Sequence, residues 1–177
     1  MRVISGIARG HKLAAPRGRR TRPTGDRMKE DLFNILGPEI KESIFLDLYC
    51  GSGAIGIEAL SRGAARAVFV DESREAIDST KANLIKTRLD SRAEVLHMTA
   101  RQSLKYLSRR IFDIIFMDPP YNSTDYIELE AMLSDDGIVI VECSYNIVPP
   151  DFKKLILYRQ KKYSQMQFLL YRKEADR

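Results

Sequence analysis

The stretch IFLDLYCGSGAIGIEAL, residues 44–60, sets the fold. Its first five residues are apolar except for Asp47, as a strand buried on both faces requires. Gly51 and Gly53 then break the run, and AIGIEAL resumes at helical spacing. A strand that turns through glycines into a helix opens a doubly wound parallel sheet, because the next parallel strand is reached only through a crossover. Downstream the alternation continues. Further strands are expected at 67–70, 94–98, 112–117 and 137–142, with helices at 54–61, 74–88, 101–108 and 125–133. Ala76, Ile77, Ala82, Leu84 and Ile85 give the long helix an apolar face, Ser73 is placed to cap it, and Gly63 to close the helix before it. Near the end, KLILYRQ (154–160) and QMQFLLYRK (165–173) flank a polar KKYS and read as an antiparallel hairpin on the sheet edge. Ahead of the sheet, Met28, Leu32, Ile35 and Leu36 form a helical stripe that Gly37 and Pro38 end.

The chain of 177 residues, 44% hydrophobic, suits one full-sized core. Its apolar runs fall short of the roughly 18 residues of a membrane span, and the opening MRVISGIARGHK lacks the apolar centre of a signal peptide. The expectation is a soluble, cytoplasmic protein without a membrane partner. Cys50 and Cys143 stand far apart, and His11 and His97 are the only histidines, so neither a disulfide framework nor a metal site is indicated. The net charge of +5 is uneven. Residues 1–29 hold nine Lys or Arg against the single acid Asp26, leaving −3 for the remainder. A basic extension on a mildly acidic body suits a phosphate backbone, although a solvated terminus has the same composition.

Gly51, Gly53 and Gly56 satisfy G-x-G-x-x-G, and Asp71 ends the second strand where an acid can take ribose hydroxyls. This implies an adenosine-containing cofactor. Asp47 discriminates among them, since a carboxylate four residues before Gly51 would repel a pyrophosphate. S-adenosyl-L-methionine has no phosphate and carries an ammonium and a sulfonium, so it fits better than NAD.

The strand FDIIFM runs into DPPY, residues 118–121, at the rim where such folds bind ligands. A nucleobase amino group is a weak nucleophile, because its lone pair is delocalised into the ring. The Asp118 carboxylate can accept one of its N–H bonds and the Pro119 carbonyl the other. Proline's locked φ holds that carbonyl, and Tyr121 offers a stacking face to an extruded base.

DPPY is similar to the (Asn/Asp)-Pro-Pro-(Tyr/Phe) motif of S-adenosylmethionine-dependent amino methyltransferases. With RPTGDRMKEDLFNIL and DLYCGSGAIGIEALSRGA, the chain resembles the RsmD-type 16S rRNA (guanine-N2-)methyltransferases of bacteria over essentially its whole length. The resemblance implies a Rossmann-like class I methyltransferase of α/β class. It would have a mostly parallel doubly wound sheet, a C-terminal antiparallel hairpin and a small basic N-terminal extension. Residues 1–38 would be the RNA-binding extension with its short helix, and 39–177 the methyltransferase domain. It further implies a monomer that methylates guanine N2 in 16S rRNA, either naked or within an assembling small ribosomal subunit. Asp47, Tyr49, Gly51, Ser52 and Gly53 would surround the methionine part of the cofactor. Asp71 and Glu72 would hold its ribose, Thr99 and Ala100 would lie near its adenine, and Asp118 would face its methyl end. Asp118, Pro119, Pro120 and Tyr121 would hold the guanine, and Arg9, Arg17, Arg19, Arg20, Arg22, Thr24 and Arg27 the RNA. The family places Asp or Asn where Thr99 stands, and Tyr-Gly where the last hairpin has Tyr163-Ser164.

Two rival readings remain at this stage. In one the acceptor is an adenine or cytosine amino group of DNA; those enzymes need a sizeable recognition region, and only about forty residues precede the sheet. In the other the fold is a non-catalytic RNA-binding scaffold, against which the intact Asp47, Asp71 and DPPY argue.

Overall fold

The structure is a computed structural model and describes residues 1–16, 25–119, 129–148 and 150–174. Among these, helix α1 (Asp26–Leu36) precedes β1 (Ile44–Leu48), α2 (Ala54–Ser61), β2 (Arg66–Asp71), α3 (Arg74–Thr87), β3 (Ala93–His97), α4 (Ala100–Leu107) and β4 (Phe112–Met117). Three strands follow, β5 (Leu133–Ser144), β6 (Leu155–Lys162) and β7 (Met166–Lys173). They form one seven-stranded sheet of order β3-β2-β1-β4-β5-β7-β6. The first five strands in that order are parallel, and β7 and β6 continue it antiparallel. The order reverses between β1 and β4, which places the topological switch point at their carboxyl ends.

Both faces of the sheet are apolar, which explains the unbroken hydrophobic runs of its central strands. On one face Phe45, Phe69, Phe116 and Phe168 pack with residues of α1, α2 and α3; on the other Leu46, Val68, Ile115 and Val139 pack with α4. Gly56 lets α2 approach the sheet, since a Cβ there would lie 2.3 Å from the Phe69 ring. Ser73 caps α3 and Gly63 follows α2 in a left-handed conformation, both as expected.

Two elements differ from their sequence reading. The expected helix at 125–133 falls partly outside the described residues. Within them Leu129–Met132 form only a 3-10 turn, and Leu133 already belongs to β5. That strand starts earlier than expected because Leu133 pairs with Phe112 before an irregularity re-registers it at Ile138 against Ile114. The polar SDDG, which reads as a turn, sits at this irregularity.

Residues 1–13 lie folded against α2 rather than apart from the body. An Arg2–Lys12 bridge closes them, and Val3, Ala8 and Leu13 enter the same core as α1 and α2. The fully buried Glu58 of α2 accepts from the backbone N–H groups of Ile4 and Ser5 at 2.8 and 2.9 Å. The same carboxylate meets Lys29 Nζ at 3.2 Å and Arg62 Nε at 2.7 Å. Burial pushes the Lys29 ammonium below its usual pKa, and Glu58 opposes that shift. Removing one member of such a set leaves an uncompensated buried charge, at a cost of about 3–5 kcal/mol. Among the described residues, no helix is long and apolar enough to cross a membrane.

Candidate active site

Three acids stand at the carboxyl ends of three adjacent strands. Asp47 of β1 is level with Phe69 of β2 and Phe116 of β4, and Asp71 and Asp118 lie two residues beyond those partners. Side chains alternate along a strand, so all three share one face of the sheet, with Asp47 lowest and the others about 7 Å higher on either side. The sequence reading thus converges on one rim.

Asp47 is 1% exposed, and its Oδ2 accepts from the Gly56 N–H at 2.9 Å. Burial raises its pKa to about 7, and the nearby charges of Asp71 and Asp118 push the same way against the Gly56 hydrogen bond. The carboxylate therefore sits beneath the glycine loop, acting through that loop and through its field. Asp118, by contrast, is exposed by area. Protein still crowds its carboxyl closely enough that desolvation raises its pKa to about 6.

Asp71 ties two loops together. Its oxygens accept from the Gly51 N–H and the Ser73 N–H, each at 2.9 Å. A carboxylate oxygen has two lone pairs, so each keeps capacity for a ribose hydroxyl. The loop itself is clamped from below. Thr80 Oγ1 donates to the Gly51 carbonyl at 3.1 Å, and the buried Asn83 donates to the Ser52 carbonyl at 2.9 Å. Tyr49, Gly51 and Gly53 all have positive φ, so the backbone folds back tightly between β1 and α2. A Cβ at Gly51 would meet nothing within 4 Å, whereas one at Gly53 would strike Thr80. Gly51 thus borders open space bounded by Asp71. This space lies over a loop that carries a buried acid.

Thr99 caps α4. Its Oγ1 accepts from the Gln102 N–H at 3.2 Å, and the Gln102 side chain accepts from the Thr99 N–H at 3.0 Å. The Thr99 hydroxyl is therefore occupied by the helix, and Ala100 is the first residue of that helix. Glu72 is exposed and its carbonyl lies 3.0 Å from His97 Nε2. Arg9 and Arg27 are exposed. Pro120, Tyr121, Arg17, Arg19, Arg20, Arg22 and Thr24 lie outside the described residues.

Sequence reasoning missed Asn83 and Glu58. Asn83 fastens Ala14 as well as Ser52, accepting from the Ala14 N–H and donating to the Ala14 carbonyl, both at 2.9 Å. The signal for both is a polar residue inside an otherwise apolar helical stripe, in KANLI and GIEAL.

A family model described as conserved hypothetical protein 95 matches residues 1–172. A Bacillus subtilis protein, YlbH, described as a candidate rRNA methyltransferase, is 37% identical over 99% of this chain and 100% of its own length. Ribosomal RNA small subunit methyltransferase D of Escherichia coli is 33% identical over 99% of this chain and 91% of its own. Among solved structures, that of Escherichia coli yhhF, described as a candidate methyltransferase, superposes with a TM-score of 0.85 at 34% identity, covering 99% of both chains. The match along nearly the whole chain and the acids gathered at one rim agree: the chain belongs to the conserved hypothetical protein 95 family, that of ribosomal RNA small subunit methyltransferase D.

Proposed function

We propose that the protein transfers a methyl group from S-adenosyl-L-methionine to the exocyclic N2 amino group of a guanine in small-subunit rRNA. The observation that carries this reading is the placement of Asp47, Asp71 and Asp118 on one face and one rim, flanking the switch point, with open space above Gly51. Bound there, the cofactor supplies an electrophilic methyl group on a positively charged sulfur.

The chain's own residues do the rest. Asp71 holds ribose hydroxyls, and the Gly51 backbone permits close approach. Asp47 shapes the loop through Gly56 and sets a negative field toward the methionine ammonium. At the acceptor side, Asp118 and the Pro119 carbonyl each accept one N–H of the guanine amino group. Its nitrogen then turns its lone pair toward the methyl carbon instead of the ring. The methyl group would be supplied by the cofactor's sulfonium, and Asp118 would take the proton that the amino nitrogen must shed, or pass it onward to water. A carboxylate whose pKa is raised is a better acceptor for it. Tyr121 stacks on the extruded base.

The test is incubation with labelled S-adenosyl-L-methionine and, separately, deproteinised small-subunit rRNA, small ribosomal subunits, tRNA and duplex DNA, followed by nucleoside analysis. Label in N2-methylguanosine from rRNA or subunits is the expected result. Label in an adenine or cytosine of DNA, or none in any substrate, would overturn it.

A further inference from the structure

The rim that carries Asp118 continues along the sheet onto β5, β7 and β6. Met117 is level with Val141, Ser144 with Met166, and Lys162 with Gln167. Tyr145, the first residue beyond β5, therefore stands about 11 Å from Asp118, given a 4.8 Å strand spacing and a 3.3 Å rise. The turn between β6 and β7 stands beside it.

This corner is built from below. Gln167 is fully buried, and its Nε2 donates to the carbonyls of Ser144 and Ile147 at 3.1 and 3.2 Å while its Oε1 accepts from Gln160 at 2.7 Å. The Tyr145 N–H donates to the Gln165 carbonyl at 3.1 Å, and the Tyr163 N–H closes the hairpin on the Met166 carbonyl at 2.8 Å. Tyr163 also donates its hydroxyl to Asp31 of α1 at 3.0 Å. A fully buried glutamine spending two hydrogen bonds on this loop and a third on β6 fixes the loop's shape.

What the loop presents is unusual for a water-facing surface. Tyr145 is 54% exposed and Val148 83%, and the adjoining end of β6 exposes Arg159, Lys161 and Lys162. The acids close by are already committed: Asp31 accepts from Tyr163, and Glu142 is buried beneath the rim. An exposed ring on a rigid mount beside unneutralised cations is the combination that holds single-stranded nucleic acid, the ring by stacking and the cations by phosphate contact.

We propose that Tyr145, Lys161 and Lys162 form an RNA subsite for nucleotides flanking the target base, Tyr145 stacking on a base and the two lysines meeting phosphates. This rests on the rRNA reading above and adds where the strand runs after it leaves Asp118: outward across β5 toward the β6–β7 turn.

The experiment is titration of the full chain with deproteinised small-subunit rRNA over a range of salt, alongside methyl transfer to the same RNA and to small ribosomal subunits. Replacing Lys161 and Lys162 together by Ala should flatten the slope of log affinity against log salt by about 1.4–1.8, two phosphate contacts. Tyr145→Ala should weaken binding about ten- to a hundredfold at every salt concentration without changing the slope, and Tyr145→Phe should restore it. All these side chains are exposed, so unchanged affinity for S-adenosyl-L-methionine certifies the fold. If the wild-type chain methylates the RNA and the lysine variant keeps both slope and affinity, the subsite is wrong and the rRNA reading stands. If the lysine variant loses activity on subunits alone, the lysines face a ribosomal protein, and the RNA subsite is again wrong. A wild-type chain that neither binds nor methylates rRNA would fail the parent reading, and the subsite with it.

Discussion

The two ends of the sheet both carry acids, and they use them differently. At the amino-terminal end of the strands a cleft of about 340 Å³ is lined by Glu39, Lys41, Glu42, Asp113, Asp136 and their neighbours. Its acids are spent on structure or lie open to water. Asp113 accepts from the Ile44 N–H at 2.8 Å, and Glu39 pairs with Arg172. At the carboxyl-terminal end Asp47 and Asp118 are desolvated and shifted upward, next to a glycine loop with open space above it. The difference teaches that a cleft lined by acids is by itself a poor guide to chemistry here. Parallel strands deliver unpaired backbone groups and helix N-termini to their carboxyl ends, and there Asp47 and Asp71 hold the glycine loop from which a ligand site is built.

Substitution of matched acids tests that contrast most severely. Asp118→Ala should lower single-turnover methyl transfer by about 10²–10⁴-fold, the range for a positioned proton acceptor. Asp113→Ala, one turn of chemistry away from nothing but a strand end, should leave the rate and cost about 1 kcal/mol of stability through the lost Ile44 hydrogen bond. Equal rates for the two variants would make DPPY merely a strand-ending turn.

One glycine of the loop and one of α2 sharpen the distinction between packing and ligand approach. In Gly56→Ala the new methyl would sit 2.3 Å from the Phe69 ring and 3.1 Å from Asp47 Oδ2. Overpacking of this kind costs about 1–3 kcal/mol, so the thermal midpoint should fall by several degrees. Gly51→Ala meets no protein atom, and only its φ of +57° opposes it. It should lose cofactor affinity in calorimetry with a smaller shift of the midpoint. The reverse pattern would place the cofactor elsewhere.

Much of this was legible in the sequence because each signal was local. The glycine loop, the strand spacing and the hairpin follow from period, turn residues and chain order. Asp47, Asp71 and Asp118 could be grouped because strand ends in a parallel sheet share a rim. Three things were not legible, each for a long-range reason. Residues 1–13 look like a solvated basic tail by composition, yet Glu58, some fifty residues on, satisfies their backbone. Residue 133 looks helical by its neighbours, and its strand pairing depends on Phe112. Asp47 looks like a direct ligand for an ammonium, but only the packed structure shows Gly56 and burial taking its carboxylate beneath the loop.

The depth of Asp47 gives a pH test. Its folded pKa of about 7 exceeds the ordinary carboxyl value of 3.8. The folded state therefore holds a proton that the unfolded chain releases between those values. Its contribution to stability is present below about pH 4 and lost as pH rises to about 7. Cofactor affinity should move oppositely, since an ammonium favours the ionised carboxylate. Affinity should rise with pH by up to about tenfold per unit below 7 and level off above it. Asp47→Asn should abolish both dependences and weaken binding at pH 8 by about tenfold. A wild-type affinity that is flat from pH 5 to 8 would leave Asp47 with a purely structural task.

The smallest expected effect concerns the basic extension, and it tests whether cations near the two ends of the sheet differ as the acids do. Ala14 is held by Asn83 on α3, which also holds the Ser52 carbonyl of the glycine loop, and α1 begins at Asp26. Lys41 lines the cleft at the opposite end of the sheet. If the extension meets RNA phosphates, replacing Arg19 and Arg20 together by Ala should flatten the salt slope of rRNA binding by about 1.4–1.8. Between 0.1 and 0.2 M salt that is a change of only about threefold in the affinity ratio, so the slope must be measured across at least a fourfold range of salt. Cofactor affinity should not change, because Thr80 and Asn83 hold the glycine loop. Lys41→Ala should leave the slope as it is. A slope that responds to Lys41 as strongly as to Arg19 and Arg20 would mean that the RNA feels only the overall charge of the protein, and the distinction between the two ends would then hold for its acids and not for its cations.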